Sequence, residues 1–205
     1  RDNIKILELR KENLTDKVSM QKKFIEEIES RGKQDIKEKV EKKDKFGNEV
    51  LNFITHNEEL ETEVTGLIED QEKVTGASKT LLKLNNLKGK MSNKVSTLTK
   101  EHKFFTDNVT CPTCTQNIEE SFRLNRIAEV ETKAKELQDG YKELQFKIKS
   151  EQERELSFNT LSKEITKLNN DISQNNTKIS GFQQQITDLE SEIQTLTDQL
   201  ANRNT

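Results

Sequence analysis

The second half of the chain carries an apolar side chain at almost every seventh position over six successive repeats. Two interleaved series make up this pattern: Ile165, Ile172, Ile179, Ile186, Ile193 and Leu200, and Leu161, Leu168, Asn175, Phe182, Leu189 and Leu196. A seven-residue repeat holds one stripe against a neighbour only if two helices supercoil around each other. The pattern therefore predicts a long α-helix that requires a partner helix.

The first half of the chain carries a matching stripe. Its members are Ile4, Leu7, Leu14, Val18, Ile25 and Ile28, then Phe46, Phe53, Leu60, Leu67, Val74 and Leu81, then Leu84, Leu87, Met91 and Leu98. Only 30% of the 205 residues are hydrophobic and 35% are charged, which is too lean for a wide core but sufficient for a narrow seam. We therefore expect the two stripes to pack on each other.

The heptads stop on one side of the sequence Cys111-Pro112-Thr113-Cys114 and resume on the other, and Pro112 is the only proline. Proline disfavours helix in the residue before it, and Asn117 with Glu120 resembles a capping pair for re-entry into helix. So short a connection returns the chain antiparallel onto itself. The predicted fold is all-α, a long antiparallel intramolecular coiled coil or helical hairpin, with an ascending arm over 1–105, an apex over 106–117 and a descending arm over 118–205.

Two places interrupt the predicted seam. In the descending arm the register must shift between Ile148 and Leu161, where Glu151 and Glu155 lie. In the ascending arm the highly charged stretch 29–45 supplies no seam, so we predict an irregular segment there; if it leaves the coiled coil, Ile4 and Leu7 meet Leu196 and Leu200. The alternative is a continuous charged helix, favoured by its Lys and Glu content, with about the first 19 residues overhanging.

The two cysteines are candidate metal ligands. Structural zinc takes four ligands in a tetrahedron, and two thiolates spaced C-x-x-C hold one edge of it. A Cys2His site with His102 is a weaker possibility. We expect the other two thiolates to come from a second molecule, so that Cys111 and Cys114 of each chain in a homodimer share one Zn²⁺. A redox-controlled tether and a purely structural stalk without metal remain alternatives.

The remaining sequence argues against several other functions. The formal net charge of -3 has both signs mixed along the chain, so we expect no direct binding of nucleic acid. No apolar run is long enough to span a membrane, and no charged-then-apolar leader is present, so we expect a cytoplasmic protein. The stretch from Gly76 to Thr80 lacks the second glycine of a phosphate-binding loop, and no catalytic constellation can be assembled. We therefore expect no enzyme activity in this segment.

Cys-Pro-x-Cys at the apex of a long antiparallel coiled coil resembles the zinc hook of the SMC-like DNA-repair ATPases, the Rad-fifty/SbcC family. The length and the flanking threonines, Thr110, Thr113 and Thr115, resemble the bacteriophage type of that family. The resemblance implies a spacer within a larger ATPase that works with a nuclease subunit, in an exonuclease complex, on DNA double-strand breaks in repair and recombination. It also implies that DNA and the nuclease are bound by head domains outside this segment. Family members often have glycine after the second cysteine, where this chain has Thr115.

Overall fold

The computed structural model describes residues 2–202, and side chains from residue 3 onward. Three α-helices account for nearly all of this range: α1 (Asp2–Lys73), α2 (Ala77–Asp107) and α3 (Glu120–Asn202). Within 2–202 the only extended pairing is an isolated antiparallel bridge between Thr110 and Asn117. The prediction of an all-α fold is confirmed.

Contacts divide the molecule into two units, of which the first comprises residues up to 63 and from 168 onward. Here α1 and α3 pack together through Phe46 and Phe53, whose ring centroids lie 5.3 and 6.2 Å from that of Phe182. Asn57 pairs with Asn175 further along the same seam. Contact positions rise along α1 as they fall along α3, so the two helices are antiparallel within this unit.

The charged stretch 29–45 is helical throughout and lies inside α1, so the predicted irregular segment is wrong. Lys and Glu are strong helix formers, and charge supplies part of the pairing between this stretch of α1 and α3. Lys39 and Lys43 form ion pairs with Glu192 and Glu190 of α3, at 2.5 and 3.3 Å.

The missing side chain of Gly32 lets Leu200 approach α1. A Cβ atom on Gly32 would lie 2.9 Å from Leu200 Cδ2. Leu200 therefore packs at Gly32 rather than at Ile4 or Leu7, which are 63% exposed, and side chains 3–27 are all exposed. The continuous-helix alternative describes α1 correctly.

The second unit, residues 64–167, contains the rest of α1, all of α2 and the beginning of α3. Leu81 of α2 packs with Leu144 and Ile148 of α3, and Leu84 and Met91 extend this cluster. Gly140 again admits a neighbour, since its Cβ position lies 3.2 Å from Met91 Cε. The apolar stripe of this part of α3 is buried or half-buried throughout: Ile127, Val130, Ala134, Leu137, Tyr141, Leu144 and Ile148.

A turn that the sequence did not predict separates α1 from α2. Residues 74–76 form a turn, and Gly76 has φ of 80°, a left-handed value that costs glycine little. Arg154 of α3 reaches the carbonyls of Lys73 and Thr75, at 3.5 and 3.3 Å, so two backbone acceptors exposed by the turn are satisfied.

None of the helices described is long and apolar enough to cross a membrane.

Candidate metal centre

The link between α2 and α3 covers residues 108–119, close to the predicted apex of 106–117. Asn108 ends α2, because both its backbone and its side-chain N–H groups donate to Phe104 O, at 3.1 and 2.9 Å. Arg123 of α3 donates to the next carbonyl, Phe105 O, at 3.1 Å. The last carbonyls of α2 are therefore capped by the link and by the returning helix.

Two backbone hydrogen bonds hold the strands of the link together. Cys111 N donates to Gln116 O at 2.8 Å, and Ile118 N donates to Val109 O at 2.9 Å. Between them, Thr110 Oγ1 donates to Asn117 Oδ1 at 3.3 Å. Asn117 is thus part of this bridge, three residues before α3, and the predicted capping role for its side chain is wrong.

The residues enclosed by this bridge form a tight knuckle, Cys111 to Thr115. Thr115 N donates to Cys111 O at 2.8 Å, which closes one turn of chain around the two cysteines. Cys111 and Cys114 lie 3.5 Å apart, and both are free thiols. Two thiolates bound tetrahedrally to one zinc ion at about 2.3 Å each would have their sulfur atoms about 3.8 Å apart, so two cysteines must approach this closely to share an ion.

Backbone N–H groups of the knuckle are directed at one of the sulfurs. Hydrogen bonds from Cys114 N–H and Thr113 N–H lower the pKa of the Cys111 thiol, and the side chains of Cys114 and Thr113 add to this effect. These donors stabilise the thiolate, which is the form that binds metal. Cys111 is half-buried and Cys114 is exposed, so the pair is accessible from outside the chain.

Thr115 occupies the position at which glycine is frequent in the family that the motif resembles. Its φ is 60°, the only positive value for a non-glycine residue in the described range. A β-branched residue rarely adopts this conformation because its Cβ crowds the backbone. Glycine would be unstrained there. The knuckle therefore has the conformation that a glycine would favour, with a threonine in its place.

No third ligand joins the two cysteines. In the range 2–202 there is no group of three or more His, Cys, Asp and Glu residues that could hold a metal ion. His102 Nε2 instead contacts Glu131 Oε1 at 3.0 Å, on the neighbouring helix. The geometry fits two of the four thiolates of a structural zinc site and offers no support for a Cys2His site within one chain.

Comparisons with protein-family models, with curated proteins and with solved structures gave no match. The functional interpretation therefore depends on the knuckle and the helices that carry it.

Sequence reasoning singled out the two cysteines but missed the residues that shape the loop around them. Thr110 and Asn117 are ordinary polar residues in the sequence, and their pairing depends on the chain reversal. Cys114 Sγ also lies 3.8 Å from Gln116 Oε1, a contact that nothing in the spacing indicated.

Proposed function

We propose that this chain is an antiparallel coiled-coil spacer whose Cys111–Cys114 knuckle joins two copies tip to tip by sharing one zinc ion. The observation that carries the proposal is the pair of free cysteines, which lie 3.5 Å apart on a turn whose backbone N–H groups hydrogen-bond to the Cys111 thiol. Four thiolates, two from each copy, would complete the tetrahedron.

The bound zinc would act structurally, as a cross-link between chains. The residues of this chain have three tasks: Cys111 and Cys114 supply the ligands, the backbone of Thr113 and Cys114 stabilises a thiolate, and the Thr110–Asn117 bridge fixes the turn. We assign no catalytic residue.

The resemblance to the Rad-fifty/SbcC zinc hook supports a further proposal about the parent molecule. The spacer would belong to an ATPase that acts with a nuclease in double-strand-break repair and recombination. Joining two tips would tether two complexes, or two DNA ends held by head domains outside this segment.

The test is sedimentation of the purified chain together with its zinc content. We expect a dimer containing one zinc per two chains, conversion to monomers by a chelator, and unchanged helical circular dichroism, because the helices pack independently of the knuckle. The double variant Cys111→Ser/Cys114→Ser should remain monomeric with zinc. Thr106→Ala is the control, since the exposed Thr106 hydroxyl donates to His102 O within α2 and makes no contact with the cysteines, and it should dimerise normally.

The other candidate functions predict different outcomes. A purely structural stalk would stay dimeric with chelator present and with both cysteines replaced. A redox tether would give a dimer that reductant dissociates without any chelator. Either result would overturn the zinc joint.

A further inference from the structure

Two large apolar side chains flank the knuckle and face solvent. Val109, two residues before Cys111, is 63% exposed, and Phe122, in the first turn of α3, is 56% exposed. Phe122 is held at its base by an edge-on contact with Phe105, with ring centroids 6.0 Å apart. We call Val109 and Phe122 the tip pair.

The link that carries Val109 contains no charge, whereas Phe122 lies just beyond it, beside Arg123 and two residues after Glu120. All residues from Asn108 to Ile118 are uncharged, which makes this run of eleven the longest uncharged stretch in a sequence that is 35% charged. The charged residues resume immediately outside it, at Asp107 and Glu119. The link is therefore an uncharged surface, distinct from the charged helix faces that support it.

Symmetry explains why absence of charge indicates a second copy rather than a different partner. In a two-fold interface the same patch is used by both chains, so groups near the axis meet their own kind. A charge there would face a like charge, which is destabilising. A different protein could instead offer complementary charges. An uncharged link with an exposed apolar side chain on each side of the knuckle is what an interface between identical copies favours.

We propose that the tip pair packs against the tip pair of a second copy, on either side of the shared metal. This inference rests on the proposed function and extends it, because it assigns part of the affinity to apolar contact outside the cysteines. It also shields the thiolates from solvent, which would slow the removal of zinc by chelators.

The first test compares the zinc-loaded dimers of the wild-type chain and of Val109→Ser/Phe122→Ser by sedimentation equilibrium. Both side chains are largely exposed, so helical content should be unchanged, while the dimer dissociation constant should rise about tenfold or more. Phe146→Ser is the control, since Phe146 is a 75% exposed phenylalanine of the same helix, well away from the knuckle. A dissociation constant equal to that of the control would overturn the proposal.

A second test uses charge at the tip itself. Val109→Glu and Val109→Lys should each dimerise weakly with zinc, whereas an equimolar mixture should form a mixed dimer in preference to either homodimer. If the mixture dimerises no better than the average of the two variants, Val109 lies outside the interface and the proposal is wrong.

Failure of the tip pair can be distinguished from failure of the zinc joint. If the serine variant dimerises normally but the cysteine variant does not, the joint stands and the tip pair is wrong. The opposite result is that the cysteine variant still dimerises without metal and becomes monomeric when Val109→Ser/Phe122→Ser is added to it. In that case the zinc joint is wrong and the tip pair stands.

Discussion

Replacement of Thr115 tests whether the shape of the knuckle limits metal binding. Thr115 has φ of 60°, and a left-handed conformation costs an L-residue with a side chain roughly 1–2 kcal/mol. Glycine removes this cost but adds about 0.5–1 kcal/mol of chain entropy to be lost on ordering. Thr115→Gly should therefore favour the closed knuckle by a net of about 0.5–1 kcal/mol.

Symmetry doubles this effect, since one zinc ion would engage two knuckles. A gain of about 1–2 kcal/mol per ion corresponds to zinc binding that is roughly 5- to 30-fold tighter. Thr115→Asn should fall between threonine and glycine, because asparagine tolerates the left-handed region. Thr115→Val keeps the branching at Cβ and should bind no more tightly than the wild-type chain.

Thr115→Pro is the strongest perturbation in the series. Proline fixes φ near −65° and has no N–H, so it removes both the backbone conformation and the 2.8 Å hydrogen bond to Cys111 O. We expect it to abolish dimerisation at micromolar zinc.

Competition with a zinc chelator of known affinity, followed by sedimentation of each variant, measures the whole series. The predicted order of affinity is Gly, Asn, Thr with Val, and Pro last. Glycine weaker than threonine would refute the reasoning, because the strain at position 115 would then not oppose closure of the knuckle.

Three further perturbations probe the helices. Asn57→Leu alone should lower stability by about 1–3 kcal/mol in thermal melts, because Asn175 would lose a buried partner. The double variant Asn57→Leu/Asn175→Leu should be more stable, but its two helices should be less strictly held in one register. Arg154→Ala should lower the melting temperature, because the carbonyls at the α1–α2 turn lose their donor. The hydrogen bond from Lys39 lowers the pKa of Glu192. The stabilisation from this pair is therefore present above the unfolded-state pKa of glutamate and is lost as the pH falls through the lowered folded-state pKa. Glu192→Gln should flatten this acid dependence in thermal melts followed across pH 3–6.

The heptads of the descending arm were a sufficient guide to its buried face. All the positions of the two series from Leu161 to Leu200 are buried or half-buried. A seven-residue repeat places its apolar side chains on one face of the helix, and that face packs against the partner helix. Asn175 illustrates the same logic for a polar residue: its seam position predicted burial, and the structure pairs it with Asn57.

The charged stretch of α1 shows where apolar periodicity fails as a guide. A heptad pattern detects only the burial of apolar side chains. The pattern therefore gave no sign that this segment pairs with α3 through Lys39, Lys43 and a contact at Gly32. The same limit applies to the metal centre, where the cysteine spacing indicated a knuckle but not the Thr110–Asn117 bridge that holds it. Both features depend on residues distant in sequence or on backbone geometry.

The turn at Gly76 is the least predictable feature, although its cause is present in both arms. Coiled-coil seams advance by alternating steps of three and four residues, and two consecutive three-residue steps overwind a helix locally. The half-buried and buried positions show such a pair of steps in each arm: Gln71, Val74, Ala77 and Leu81 in the first, and Glu155, Phe158, Leu161 and Ile165 in the second.

The two arms relieve this overwinding differently. The first arm breaks its helix between Lys73 and Ala77, where Gly76 takes a left-handed conformation at little cost. The second arm remains helical and supplies Arg154, which satisfies the carbonyls that the break exposes, and Glu151 holds that guanidinium at 2.8 Å. The register shift predicted before Leu161 thus lies beside the unpredicted turn, in contact with it through Arg154. Because Val74 and Leu81 are still seven residues apart, the apolar series alone could not reveal that the helix between them is interrupted.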